Sequence, residues 1–202
     1  MTTTQAQHTA PVAQPSMSKP YRTIVVERQI ALPAEQVWNA LVMDYGQISN
    51  YSPLVYASDY VDGSLKGEVG AQRTCAFNAS GNRWAKETIA ELDHERMRMK
   101  NIMVEAHKFP LNTDNSYAIY YVKDNGDGTS TAGYEFNFRA KPAFMGFMMA
   151  RQFKKGLNET LIGLEHFLTT GERVTGGSDS VDIVMKAYKS DGRYDDYVYR
   201  KS

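Results

Sequence analysis

The chain has 202 residues, 42% of them hydrophobic and 23% charged, the proportions of an ordinary soluble globule. Its 23 Lys and Arg balance its 23 Asp and Glu, so it lacks the basic footprint that a nucleic-acid partner needs. No apolar stretch reaches the length of a transmembrane span, and Cys75, the single cysteine, excludes an internal disulfide and a cysteine zinc cage.

Residues 1–20 are polar, carry three prolines and have no apolar leader segment. They are expected to be disordered, and the protein to reside in a reducing cytoplasm. Tyr21 to Leu32 then reads as a strand, with Ile24, Val26, Ile30 and Leu32 on one face and Arg28 among them. Pro33-Ala34-Glu35-Gln36-Val37-Trp38 starts a helix directly after it.

From about Val55 to Lys141 the pattern is strand and turn. Ala71, Arg73, Cys75 and Phe77 share a face, as do Ala85, Glu87 and Ile89. Met97, Met99, Asn101 and Met103 form another such set, and Tyr134, Phe136 and Phe138 a last one. Alternation of this kind gives each strand one dry and one wet side. Ser116 to Lys123 has Tyr and apolar residues on both faces, so its inward side stays open. Ser80-Gly81-Asn82, Asp93-His94-Glu95 and Asp124-Asn125-Gly126-Asp127-Gly128 separate strands as hairpin loops. The last is no calcium hand, because Thr129 occupies the position that requires glycine.

Ala143 to Thr170 reads as one helix with a stripe of Phe153, Leu157, Leu161, Leu164 and Leu168. Gly156 and Gly163 lie beside that stripe, where they either admit a close neighbour or leave room for a ligand. The helix begins on Phe144, Met145, Phe147, Met148 and Met149, a deformable cluster suited to an irregular surface or to ordinary core. Residues 21–172 are expected to form the domain, and 173–202 a linker and mostly flexible tail. Within that tail Val181 to Tyr188 has the pattern of a short helix, and Tyr188, Tyr194, Tyr197 and Tyr199 are candidate docking residues. One helix covers so long a sheet only if the sheet curls around it. The fold class is therefore α+β, with an interior wider than side chains fill: a ligand site.

The candidate site residues are polar groups on apolar faces and the apolar groups around them. Arg73 and Glu87 fall nearly opposite each other across the Ser80-Gly81 turn. Arg28 and Asn101 are weaker members of the same inward set. Phe77, Met99, Met103, Tyr134, Phe136, Met149 and Phe153 are expected to line the cavity, with Cys75 as a small core residue at its wall. His107 at the cavity mouth is a candidate for proton transfer, its ordinary reading being structural. No phosphate loop, nucleophile elbow or His-Glu-x-x-His pattern occurs, and no cofactor or metal is expected.

Ala31-Leu32-Pro33-Ala34-Glu35-Gln36-Val37-Trp38, followed by Asp44-Tyr45 and Tyr51-Ser52-Pro53, resembles the opening of the START-like (SRPBCC) superfamily. Gly70-Ala71-Gln72-Arg73, Glu87 and Gly126-Asp127-Gly128-Thr129 resemble its polyketide cyclase/dehydrase branch. The resemblance covers about Tyr21 to Glu172. It implies a helix-grip fold, a curved seven-stranded antiparallel sheet around a long C-terminal helix, with two short helices after the first strand. It also implies a cavity for a lipid, polyketide or aromatic molecule, with Arg73 and Glu87 on recurrent positions. Tyr51 stands where relatives often have Trp. Three functions follow: a carrier of a small hydrophobic ligand, a cyclase/dehydrase-type enzyme using Arg73, Glu87 and a Tyr, or an accessory interaction protein with a vestigial cavity. Ligand identity and oligomeric state stay open.

Overall fold

The computed structural model describes residues 22–201, so the expected disorder of 1–20 lies outside the described residues. Strand β1, Arg22–Ile30, buries Ile24, Val26, Arg28 and Ile30 on one face. Pro33 ends the extended run, and α1, Ala34–Val42, starts at once and buries Val37, Trp38 and Leu41. A 3₁₀ segment, Tyr45–Asn50, follows, giving the two short helices that the sequence implies.

The chain then folds into an antiparallel meander: β2 (Ala57–Tyr60), β3 (Gln72–Ala76), β4 (Trp84–Asp93), β5 (Arg98–His107), β6 (Tyr117–Asp124) and β7 (Ser130–Phe138). β7 returns to pair with β1. Register shifts in the β4–β5 pair, at Lys86/Glu87 and Ile89/Glu91, locally bend the longest strands. The undecided strand turns Tyr120 and Val122 into the core and lays the Tyr121 ring over Gly133 on the outer side. In the 124–128 loop, the Asp124 carboxylate accepts from Gly126 N–H at 2.9 Å and that of Asp127 from Thr129 N–H at 3.0 Å. Those carboxylates shape the turn, and no cluster suited to a metal ion occurs among the described residues.

Helix α2, Gly146–Thr170, crosses the inner face and ends at Gly171, whose φ of 78° is the left-handed cap that glycine supplies. Its interior glycines serve close approach. A Cβ at Gly163 would strike the Tyr51 carbonyl oxygen, and one at Gly156 would meet the Leu54 side chain.

The expectation of a mostly flexible tail is corrected by the structure. Val174 and Gly176 hydrogen-bond along Asn50 and Val55, and α3, Asp179–Ser190, packs Val184, Met185 and Tyr188 onto Ile162. β8, Val198–Lys201, then pairs antiparallel with β1 as an eighth strand. The buried Glu165 carboxylate accepts from Tyr188 OH at 3.0 Å and from Arg193 at 2.8 Å, while Arg28 donates to the Arg193 carbonyl at 2.5 Å. Gly, Asp and Lys dilute the tail's composition, but its apolar residues recur at helix spacing. Their polar partners sit on α2 and β1, far away in sequence.

Two predictions follow from this packing. Leu161 is fully buried at the centre of α2, so Leu161→Ala is expected to destabilise the protein by about 2–5 kcal/mol in denaturant titration. The Glu27 carboxyl is pushed up by burial, but hydrogen bonds from Lys123, Tyr121 and Arg200 outweigh that and hold it below its ordinary value. A depressed folded-state pKa contributes stability above the unfolded value, and that contribution is lost as pH falls. Glu27→Gln is therefore expected to be less stable than the parent at neutral pH. The gap should close as both are acidified below about pH 4; a gap that does not shrink would refute the assignment.

Candidate functional site

The inner face of the sheet, α2 and the segment after the 3₁₀ turn line a half-open cavity of about 100 Å³. Its two ends differ in chemistry. One is apolar, made of Phe77, Met103, Phe109, Phe136, Phe153 and Leu157. There Phe77 and Phe109 lie 4.6 Å apart, and Phe136 meets Phe153 edge-on at 4.9 Å. The other end is polar and is organised by Arg73.

The β3–β4 register sets Arg73 directly opposite Glu87. Arg73 Nε and Nη2 reach Glu87 Oε2 at 2.8 and 2.7 Å, Nη1 donates to the Tyr45 carbonyl at 2.9 Å, and Nη2 donates to Tyr120 OH at 2.9 Å. The guanidinium also lies over the Tyr45 ring, 4.1 Å from its centre. Arg73 is 1% exposed. Burial alone would lower its pKa, but Glu87 and the facing tyrosines more than reverse this, and it stays charged. Tyr45 OH in turn donates to the Asn101 side-chain oxygen, which explains an amide on an apolar face.

The remaining ionisable groups are held neutral. Burial pushes the Cys75 thiol up to about 12 and the Tyr120 phenol up to about 12, in both cases against the pull of Arg73. Burial likewise holds Tyr134 and Tyr51 far above the usual phenol value. Both phenol oxygens are buried without a hydrogen-bond partner among the described residues. Tyr134 lines the cavity, its ring edge-on to that of Tyr120 at 4.7 Å. Ser52 and Thr160 hydrogen-bond at 2.9 Å and join the loop wall to the helix wall.

Of the residues expected at the site, the structure gathers Arg73 and Cys75 from β3, Phe77 just after it, Glu87 from β4, and Asn101 and Met103 from β5. Tyr134 and Phe136 join them from β7 and Phe153 from α2. Four lie elsewhere. Arg28 faces α2 but is occupied by the C-terminal segment and Asn158. Met99, two residues nearer the β4–β5 turn, is sealed in the core cluster that contains Trp38 and Leu41. Met149, one helical turn before Phe153, packs with Ile24 and Phe138 in a second core cluster. His107 is exposed, its ring stacked on Trp84 with centres 6.3 Å apart, which leaves it no proton-transfer position at the cavity.

The sequence missed Tyr120 and Tyr45. The register Tyr120↔Tyr134 follows from the 124–128 hairpin and carries the signal for the first. The Asp44-Tyr45 pair held the second.

A family described as polyketide cyclase/dehydrase and lipid transport matches residues 21–166. No match is found among curated proteins. Solved structures share the fold. XoxI from Bacillus cereus superposes with a TM-score of 0.60 at 18% identity, over 75% of this chain and 99% of its own. Norcoclaurine synthase from Thalictrum flavum, solved with dopamine and hydroxybenzaldehyde, gives 0.57 at 14% identity, over 85% and 100%. Ara h 8.0201 gives 0.59 at 16%, over 73% and 97%. The family match spans all seven strands of the meander-and-return sheet and most of α2, so the chain belongs to the polyketide cyclase/dehydrase and lipid transport family of the START-like superfamily, with its helix-grip fold.

Proposed function

We propose that the protein binds a small, ring-sized hydrophobic molecule carrying an oxygen acceptor, and that it acts as a binding or carrier protein. The observation that carries this reading is the Tyr134 hydroxyl, which is buried without a hydrogen-bond partner among the described residues and belongs to a residue of the cavity wall. Leaving such a group unsatisfied costs about 1–3 kcal/mol, which a ligand carbonyl or ether oxygen would offset. Tyr120 supports it: its oxygen accepts from Arg73, so its own proton is left to donate. The size of the space supports a single ring, since an apolar cavity of about 150 Å³ accommodates benzene. A fused polyketide or a lipid would require the walls to move apart. Single oxygenated rings occupy the same fold in norcoclaurine synthase.

The charge state of the site favours binding over turnover. Cys75 and the phenols stay protonated at neutral pH, and Glu87 is engaged by Arg73. The second reading, a cyclase/dehydrase-type reaction, draws on the Arg73-polarised Tyr120 phenol as a donor to a substrate carbonyl.

Acetophenone and ethylbenzene, matched in size, separate the acceptor from the ring. Calorimetry is expected to show the parent protein preferring acetophenone by about threefold to tenfold, the worth of one neutral hydrogen bond. Tyr134→Phe should erase most of that preference and leave the ligand-free protein equally or more stable. Equal preference in parent and variant would overturn the reading.

Arg73→Met should destabilise by about 3–5 kcal/mol, because it strands Glu87 against a dry wall. The swap Arg73→Glu with Glu87→Arg should recover part of that stability. If the pair also orients the ligand, the acetophenone preference should remain impaired in the swapped protein.

A further inference from the structure

The start of α2 presents an apolar surface that the cavity does not use. Phe144 is 85% exposed, Phe147 68% and Met148 49%, the first two being the most exposed large apolar side chains among the described residues. Phe144 sits in a 3₁₀ turn, Ala143–Met145, that leads into the helix, and Phe147, Met148 and Arg151 lie together on one side of the first turns of α2. The opposite stripe, through Met149 and Phe153, faces the core. This tip is held in place. Asn112 N–H donates to the Arg139 carbonyl at 2.9 Å, Lys141 N–H donates to the Pro110 carbonyl at 2.9 Å, and Leu111 bridges to Ala140.

The surrounding charge is mainly basic: Asp114 lies just past the segment that pairs with the tip, and Lys155 is paired with Glu159. From Asn137 to Asn158 the chain carries Arg139, Lys141, Arg151, Lys154 and Lys155 and no acidic residue, although the whole chain is neutral. Lys201 lies over the Phe147 ring at 5.5 Å, and Arg22 packs against Gly146. None of the ion pairs among the described residues uses Lys108, Lys141 or Arg151. No helix there is long and apolar enough to cross a membrane.

We infer that this tip docks on the surface of an anionic lipid bilayer, with Phe144, Phe147 and Met148 entering the headgroup boundary and the cations meeting lipid phosphates and carboxylates. An exposed aromatic stripe rimmed by Lys and Arg has the chemistry of interfacial binding. A second copy of the chain fits poorly, because a two-fold contact would set the same cations against each other. The inference does not depend on what the cavity holds.

Flotation with vesicles tests it, using phosphatidylcholine alone and phosphatidylcholine with about a third phosphatidylserine. The protein should float with the anionic vesicles at low salt, more weakly as salt rises, and little with neutral ones. Phe144→Asp combined with Phe147→Asp should lower partitioning at least about tenfold, with an unchanged melting temperature because both side chains are exposed. Lys141→Glu combined with Arg151→Glu should remove the preference for the anionic vesicles. No flotation at low salt, or flotation unaffected by the Phe substitutions, would overturn the inference. So would sedimentation that shows self-association abolished by those substitutions, which would assign the stripe to a second copy.

Discussion

A guanidinium cannot be left unpaired in a dry interior, and the site is arranged around that constraint. Arg73 is buried on the inner face of β3, so every neighbouring element has to supply it a partner. β4 supplies the Glu87 carboxylate through its register, the 3₁₀ turn a carbonyl and a ring from Tyr45, and β6 the Tyr120 phenol. Tyr45 must then satisfy its own hydroxyl, which draws in Asn101. One buried charge thereby fixes the relative positions of four elements and makes one end of the cavity polar. The Tyr134 hydroxyl lies beside this network without a bond to it.

Helix α2 meets different neighbours along its length. At Gly156 and Gly163 the helix comes close enough to the Tyr51–Leu54 segment that a methyl group would not fit. Toward its start, the ring of Phe153 meets Phe136 and Phe138 edge-on, with centres 4.9 and 5.1 Å away. The cavity lies between these contacts.

The strand alternation, the Arg73–Glu87 pairing and the greasy stripe of α2 were legible in the sequence because each depends on local period or on one short hairpin. The sequence could not show which of several inward positions meet the cavity. Met99 and Met103 share a face of one strand, yet Met99 is packed into the core and Met103 borders the void. That difference arises from what lies on the other side of the sheet's interior, not from the strand itself. Arg28 fails for a related reason. Its inward direction is correct, but its partners come from residues 193 and 196, far away in sequence, in a segment whose tyrosines alone hinted at docking.

That same C-terminal segment divides α2 into two mechanically distinct halves. Every residue from Asn158 to Glu165 is buried, because the sheet covers one side of the helix and α3 with its following turn covers the other. Asn158, Glu159 and Glu165 are tolerated there only because Arg28, Tyr194, Tyr188 and Arg193 satisfy them. The first half, Gly146 to Lys155, buries only Gly146, Met149 and Ala150. It carries Phe153 in the cavity wall on one stripe and the exposed Phe147 and Met148 on the other. Segments with few buried contacts open at the lowest free energy. The second half of α2 is clamped on both sides, whereas the first half packs on one side only. The cavity-lining Phe153 and the exposed Phe147 and Met148 thus share the same few turns of helix.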